Sequence, residues 1–182
     1  MKFQLTGDQE TTIEEISNDQ ENSSKMLRLL QGDVGSGKTI VALFAMMQCI
    51  ENNKRSVLMA PTEILAEQHF NTIKEFISDL NLTCSLITSS NKNNHNFEAD
   101  IIIGTHALFQ QKVNFENIGL VVIDEQHKFG VHQRILLNEK AGNSCDILLM
   151  TATPIPRTME LAAYGDMDLS LIHISEPTRP RS

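Results

Sequence analysis

Gly32-Asp33-Val34-Gly35-Ser36-Gly37-Lys38-Thr39 is the stretch on which the reading of this chain turns. The eight residues fit the pattern G-x-x-x-x-G-K-[ST]. Its glycines let successive backbone N–H groups curl around a polyphosphate, its lysine reaches the outer phosphates, and its final hydroxyl can ligate Mg²⁺. The flanks agree with this. The apolar run from Met26 to Leu30 reads as a strand, and Ile40 to Ile50 reads as a buried helix, so the loop sits at a helix N-terminus where the macrodipole favours anions.

Composition narrows the class. With 182 residues, 41% of them hydrophobic, the chain has material for one globular domain with a true core. A net charge of -8 excludes a broad basic face, so any nucleic-acid contact must be local and made by backbone amides, hydroxyls and a few cations. Cys49, Cys84 and Cys145 are odd in number and form no Cys-x-x-Cys pair, which argues against a disulfide framework or zinc site and for small buried thiols in a reducing compartment. No charged-then-apolar leader opens the chain and no apolar run approaches membrane-spanning length. The expectation is a cytoplasmic protein with no membrane partner.

Working outward from the loop, Thr6 stands as an N-cap before a helical pattern carrying Ile13 and Ile16, with Gln9 in its first turn. A glutamine amide offers a donor beside an acceptor, which suits the edge of an adenine ring as well as a solvated helix surface. Asn18 to Lys25 is polar and reads as a loop, and Asn52 to Arg55 as a turn. Ser56 to Ala60 is a short buried strand stopped by Pro61. Thr62 then caps a helix with Ile64, Leu65, His69, Ile73, Phe76 and Leu80 at helical spacing. Leu82 to Thr88 is the next strand, and Ser89 to Glu98 is a loop without assignable chemistry. Asp100 to Ile103 forms a strand ending in Gly104-Thr105-His106, where His106 reads as a packing residue.

Leu120 to Ile123 is the most apolar strand, and it delivers Asp124-Glu125-Gln126-His127 to its exit. An aspartate there can hold the Mg²⁺ that Thr39 touches, and the neighbouring glutamate can orient or deprotonate an attacking water. Lys38, Asp124 and Glu125 are therefore the catalytic candidates. Gly130 to Asn138 reads as a short helix and Ile147 to Met150 as a strand running into Thr151-Ala152-Thr153-Pro154. Met159 to Tyr164 reads as a helix and Leu169 to Ile172 as a last strand. Strands alternating with amphipathic helices predict an α/β fold, a mostly parallel sheet with helices on both faces, whose polar clusters converge on one edge.

Taken in order, Gln9, GDVGSGKT, Ala60-Pro61-Thr62-Glu63, Gly104-Thr105-His106, DEQH and Thr151-Ala152-Thr153 resemble the motifs of the first RecA-like P-loop NTPase lobe of superfamily 2 helicases. The wording LLQGDVGSGKT, APTEILAEQH, DEQHKFGVHQR and MTATPIPRTMELAAYGDMD is similar to the RecG family of bacterial ATP-dependent DNA helicases. In the related transcription-repair coupling factor the DEQH position usually reads Asp-Glu-Glu-His, so Gln126 favours the first family. The resemblance implies that Gln9 recognises adenine and that Gly32, Asp33, Val34, Gly35, Ser36, Gly37, Lys38 and Thr39 hold ATP. It also implies that Thr39 and Asp124 hold Mg²⁺ and that Glu125 polarises the water. Pro61, Thr62, Gly104 and Thr105 would lie along a DNA backbone, while Gln126, His127, Thr151 and Thr153 would couple nucleotide state to DNA grip. The implied role is remodelling of branched DNA, such as stalled forks and recombination intermediates, during repair.

The resemblance runs over residues 1–171 as one lobe, and 172–182 does not match it and reads as read-through or a disordered segment, with a basic tail that touches DNA as the competing reading. A wedge domain and a second lobe carrying an arginine finger would complete such an enzyme. The 182 residues alone are expected to bind ATP·Mg²⁺ weakly as a monomer, to hydrolyse it very slowly and to unwind nothing. Two rivals are addressed by pattern. A GTPase needs Asn-Lys-x-Asp and an ABC ATPase needs Leu-Ser-Gly-Gly-Gln, and neither occurs. A non-catalytic nucleotide- or DNA-binding module stays open, and DNA-stimulated ATP hydrolysis separates it from a motor lobe.

Overall fold

Short apolar runs without alternation belong in a sheet covered on both sides, and that is where this chain puts them. A computed structural model describes residues 5–21, 26–32, 37–90, 98–105, 117–125, 145–152 and 168–171. Its strands are β1 (Leu27–Gln31), β2 (Arg55–Met59), β3 (Cys84–Ile87), β4 (Ile101–Gly104), β5 (Ile118–Glu125), β6 (Asp146–Thr151) and β7 (Asp168–Leu171), and its helices are α1 (Gly7–Glu21), α2 (Lys38–Glu51) and α3 (Glu63–Phe76). The strands form one sheet in the order β3-β4-β2-β5-β6-β1-β7, and every pairing is parallel. The predicted α/β fold with a parallel sheet is therefore observed, with the described helices all on one of its faces.

Period-two alternation divides the sheet residues between two cores. Leu30, Leu58, Ile103, Leu120, Val122 and Leu148 pack with Ile16 of α1, Val41 and Met46 of α2, and Ala66 and Ile73 of α3. Leu29, Val57, Ile102, Val121, Ile147 and Leu149 form a second buried cluster on the opposite face. All three described helices contribute to the first cluster. The helices predicted at 130–138 and 159–164, most of the loop at 89–98, His106 and the tail at 172–182 lie outside the described residues.

Several boundaries differ from the sequence reading. Helix α1 continues through Asn18 to Glu21, which read as loop, because Asp19 and Gln20 make tertiary bonds there: Asp19 to Arg28 of β1, and the Gln20 amide to the Ala45 carbonyl at 3.1 Å. Arg55 belongs to β2 and is buried, its N–H donating to Asn117 O at 2.9 Å. Strand β5 extends two residues beyond the apolar run, to Glu125, since a backbone ladder with β6 needs no apolar side chains. Helix α3 stops at Phe76, and Ile64 and Leu80, expected on its apolar face, are 70% and 43% exposed. The buried stripe runs instead through Ala66 and Ile73.

The other edge of the sheet also carries carboxylates, and these are structural. Asp146 Oδ1 accepts from Met26 N at 2.8 Å, and Asp100 Oδ2 accepts from Thr83 N at 2.9 Å, so each fixes the start of a neighbouring strand. The three cysteines are free, with Cys49 and Cys145 buried and Cys84 partly so. Burial raises the Cys49 thiol pKa and pushes that of Cys84 up to about 12, as expected of packing residues rather than nucleophiles. No described helix is long and apolar enough to cross a membrane.

Candidate functional site

In an all-parallel sheet the carboxyl ends of the strands share one edge, and the register fixes which ends are level. Gln31 pairs with Thr151, and Thr151 with Glu125; one residue earlier, Leu30 pairs with Met150 and Met150 with Asp124. The phosphate loop leaving β1 and the acids ending β5 thus flank β6 at the same level. Two strand spacings separate the ends of β1 and β5 by about 10 Å. Gly32 N donates to the carbonyl of Thr151 at 3.1 Å, which anchors the loop's first residue to the intervening strand.

Helix α2 starts at Lys38 with Gly37 as its N-cap, and no side chain caps it. Its first turn contains no acid, whereas those of α1 and α3 contain Asp8 and Glu10, and Glu63, respectively. An N-terminus left open in this way presents backbone donors and the positive end of the dipole to an anion. Lys38 Nζ donates to the Gly32 carbonyl, which holds the ammonium across the mouth of the loop.

Gly37 has φ +78°, in the left-handed region, and a Cβ built on it would come within 2.0 Å of Gln9 Nε2. The Gln9 amide is therefore seated on the loop. Thr6 Oγ1 accepts from Gln9 N at 3.2 Å, and Gln9 Oε1 accepts from Thr6 N at 2.9 Å, a reciprocal capping box at the start of α1. Sequence reasoning weighed a solvated glutamine against a base reader. The residue is buried, 6% exposed, with its amide against Gly37 at the start of α2.

At the other side of the gap, Asp124 Oδ2 lies 2.8 Å from Nε2 of His69 on α3. Sequence reasoning placed His69 on the apolar face of its helix and missed this contact. The available signal was its spacing, three residues after Ala66 and four before Ile73, which aims it at the sheet. Glu125 is level with Thr151 on the backbone of β5. Asp33, Val34, Gly35, Ser36, Gln126, His127 and Thr153 lie outside the described residues. Thr151 is described and is 2% exposed.

The remaining half of the edge is formed by β2, β4 and β3. Met59 pairs with Gly104, so Ala60-Pro61-Thr62 and Gly104-Thr105 leave the sheet side by side, and Ala60 N donates to Gly104 O at 2.8 Å. Thr62 is exposed and caps α3, its Oγ1 accepting from Leu65 N at 3.2 Å, which leaves the hydroxyl proton to donate outward. Thr105 is only 8% exposed. Next to them, Glu63 accepts from the Ser89 and Ser90 hydroxyls, which hold its carboxyl below the usual carboxylate range.

The donor set suits ATP·Mg²⁺. A Mg²⁺ ion takes one or two protein oxygens together with phosphates and waters rather than an all-protein cage. Thr39 and Asp124 would be the residues to hold it, and no group of three or more metal-ligating side chains occurs among the described residues.

Comparison with known proteins gives a consistent picture. Residues 6–162 match the DEAD/DEAH box helicase family. The chain is 49% identical over 181 residues to the ATP-dependent DNA helicase RecG of Streptococcus pneumoniae, covering 94% of this chain and 26% of that one. It is 43% identical over 191 residues to RecG of Escherichia coli K12, covering 98% and 28%. A structure of RecG bound to a three-way DNA junction superposes with a TM-score of 0.79 at 41% identity, over 98% of this chain and 25% of that one. The UvsW helicase of bacteriophage T4 superposes at 0.72 with 13% identity, over 93% and 61%, a likeness of fold alone. The chain spans about a quarter of the length of the RecG relatives.

Proposed function

The chain belongs to the DEAD/DEAH box helicase family, and from that premise we propose that it is the ATP-binding lobe of an ATP-dependent DNA helicase that remodels branched DNA. The observation that carries this reading is the level placement, on either side of β6, of Asp124 and the end of β1, from which the chain leads to the uncapped N-terminus of α2. Gly32 to Thr39 hold the triphosphate and Gln9 the adenine. Thr39 and Asp124 hold Mg²⁺, which when bound offsets the charge that develops on the phosphates during transfer. Glu125 orients the attacking water. Pro61, Thr62, Gly104 and Thr105 follow a DNA backbone through a hydroxyl and main-chain donors, in keeping with a lobe of net charge -8. The relatives named for DNA helicase activity, one of them bound to a DNA junction, support DNA as partner.

Hydrolysis at full rate requires an arginine from a second lobe, a contribution of roughly 10³ to 10⁵ in rate. The expected outcome for these 182 residues is Mg²⁺-dependent binding of a fluorescent ATP analogue, with single-turnover hydrolysis slower than that of a complete helicase by about that factor. Binding that ignores Mg²⁺, or a preference for another nucleobase, would refute the assignment.

A further inference from the structure

Among the groups near the edge, His69 is given no role by the nucleotide reading. It lies in the second turn of α3, whose orientation is set at several points. Thr62 caps the helix, Ala66 N donates to Thr62 O at 3.0 Å, and Ala66 and Ile73 are fully buried against the sheet. Ala66 and Ile73 are three residues before and four after His69, so all three share one face. The imidazole is thereby directed toward the end of β5, where Nε2 lies 2.8 Å from Asp124 Oδ2. The two side chains are 12% and 19% exposed, so they meet where water is largely excluded. An ionised carboxylate can only accept, so Nε2 carries the proton and donates.

We propose that His69 is a positioning residue for Asp124: it holds one carboxylate oxygen from α3 and leaves the other to face the hydrated Mg²⁺. A carboxylate at the end of a strand can turn about two side-chain bonds, and a hydrogen bond from a helix that cannot move restricts it before the cation arrives. Partners of this kind, one shell out from a metal ligand, change metal affinity by roughly 10- to 100-fold when removed. The geometry has a further consequence. The helix that holds Asp124 through His69 begins at Thr62, two turns earlier, so the hydroxyl half of the edge and the metal carboxylate are joined by one rigid element.

This inference rests on the proposed role of Asp124 and is tested on the same chain. Binding of a fluorescent ATP analogue is titrated with Mg²⁺ in the unaltered protein, in His69→Leu, which keeps the apolar bulk without a donor, and in His69→Gln, whose amide donates from a similar reach. Thermal melts accompany each variant. The expected result is a Mg²⁺ half-saturation raised about 10-fold or more in His69→Leu and largely restored in His69→Gln, with nucleotide affinity in EDTA the same in all three. In an Asp124→Asn background, His69→Leu adds no further shift. A half-saturation in His69→Leu within twofold of the unaltered chain overturns the proposal, as does equal impairment of the two variants. Should His69→Leu fail to fold, His69→Gln decides alone: a donor in the same place must give a near-normal half-saturation, and a 10-fold rise would sink the idea. A flat Mg²⁺ response in the unaltered protein overturns the nucleotide reading itself, a different failure from a normal response that His69 does not influence.

Discussion

Asp100, Asp146 and Asp124 show how little residue type decides by itself. All three stand at or next to strand ends, yet two stitch backbone N–H groups at one edge of the sheet while Asp124 is the penultimate residue of β5 at the other, level with Leu30 of β1. Gly37 shows the opposite, a residue whose identity is dictated twice. Its φ of +78° is strained for any side chain, and a Cβ there would meet Gln9 Nε2 at 2.0 Å. Gly37→Ala is therefore expected to destabilise the chain by about 1–3 kcal/mol in urea denaturation and to displace Gln9, weakening ATP-analogue binding more than 10-fold. Retention of both stability and affinity would show that the loop and α1 are independent.

Among elements, α1 depends on one buried cation. Arg28 of β1 donates from Nε to Asp19 Oδ2 at 2.8 Å, with Nη2 on the same oxygen and Nη1 at 3.4 Å from Glu15, so an interior strand grips the helix that carries Gln9. Arg28 is 7% exposed, which makes its pairing with Asp19 matter more than a surface ion pair. Arg28→Met keeps the aliphatic stem and removes these bonds. The expected cost is about 1.5–3 kcal/mol by urea denaturation, with weaker nucleotide binding as α1 loosens. Glu15→Gln, at the longer and more exposed contact, should cost clearly less. Equal effects of the two changes would contradict this ranking. Helix α2 differs in kind, since its N-terminus is left without a side-chain cap where the other two helices have one.

For the whole molecule, the strand order divides one edge into a half at β5, β6 and β1, to which the proposal assigns the nucleotide, and a half at β3, β4 and β2 that carries Thr62 and Thr105. If Pro61, Thr62, Gly104 and Thr105 follow a DNA backbone as proposed, their neutrality and the net charge of -8 imply that binding releases few counterions. The logarithm of its affinity for single-stranded DNA should fall against the logarithm of salt with a slope of about -2 or shallower, since each neutralised phosphate contributes roughly -0.7. A slope near -5 in a fluorescence titration would reveal a cationic track elsewhere and refute the assignment of these contacts.

Most of this fold was legible in the chain, because its signals are short-range. A glycine-rich turn, a proline after an apolar run, or a threonine before a helix acts within a few residues, and the apolar runs marked the strands to within a few positions. Four core aliphatics ending in Asp124-Glu125 could be read without knowing any neighbour. Tertiary structure alone decided that β6 lies between β1 and β5, that Gln9 rests on Gly37, that Arg28 holds Asp19 and extends α1, and that His69 reaches Asp124. The three side-chain pairs are separated by 9 to 55 positions and the β1–β6 partners by 120, and a parallel sheet sets such adjacencies through strand order and register, which no local pattern of apolar and polar residues encodes.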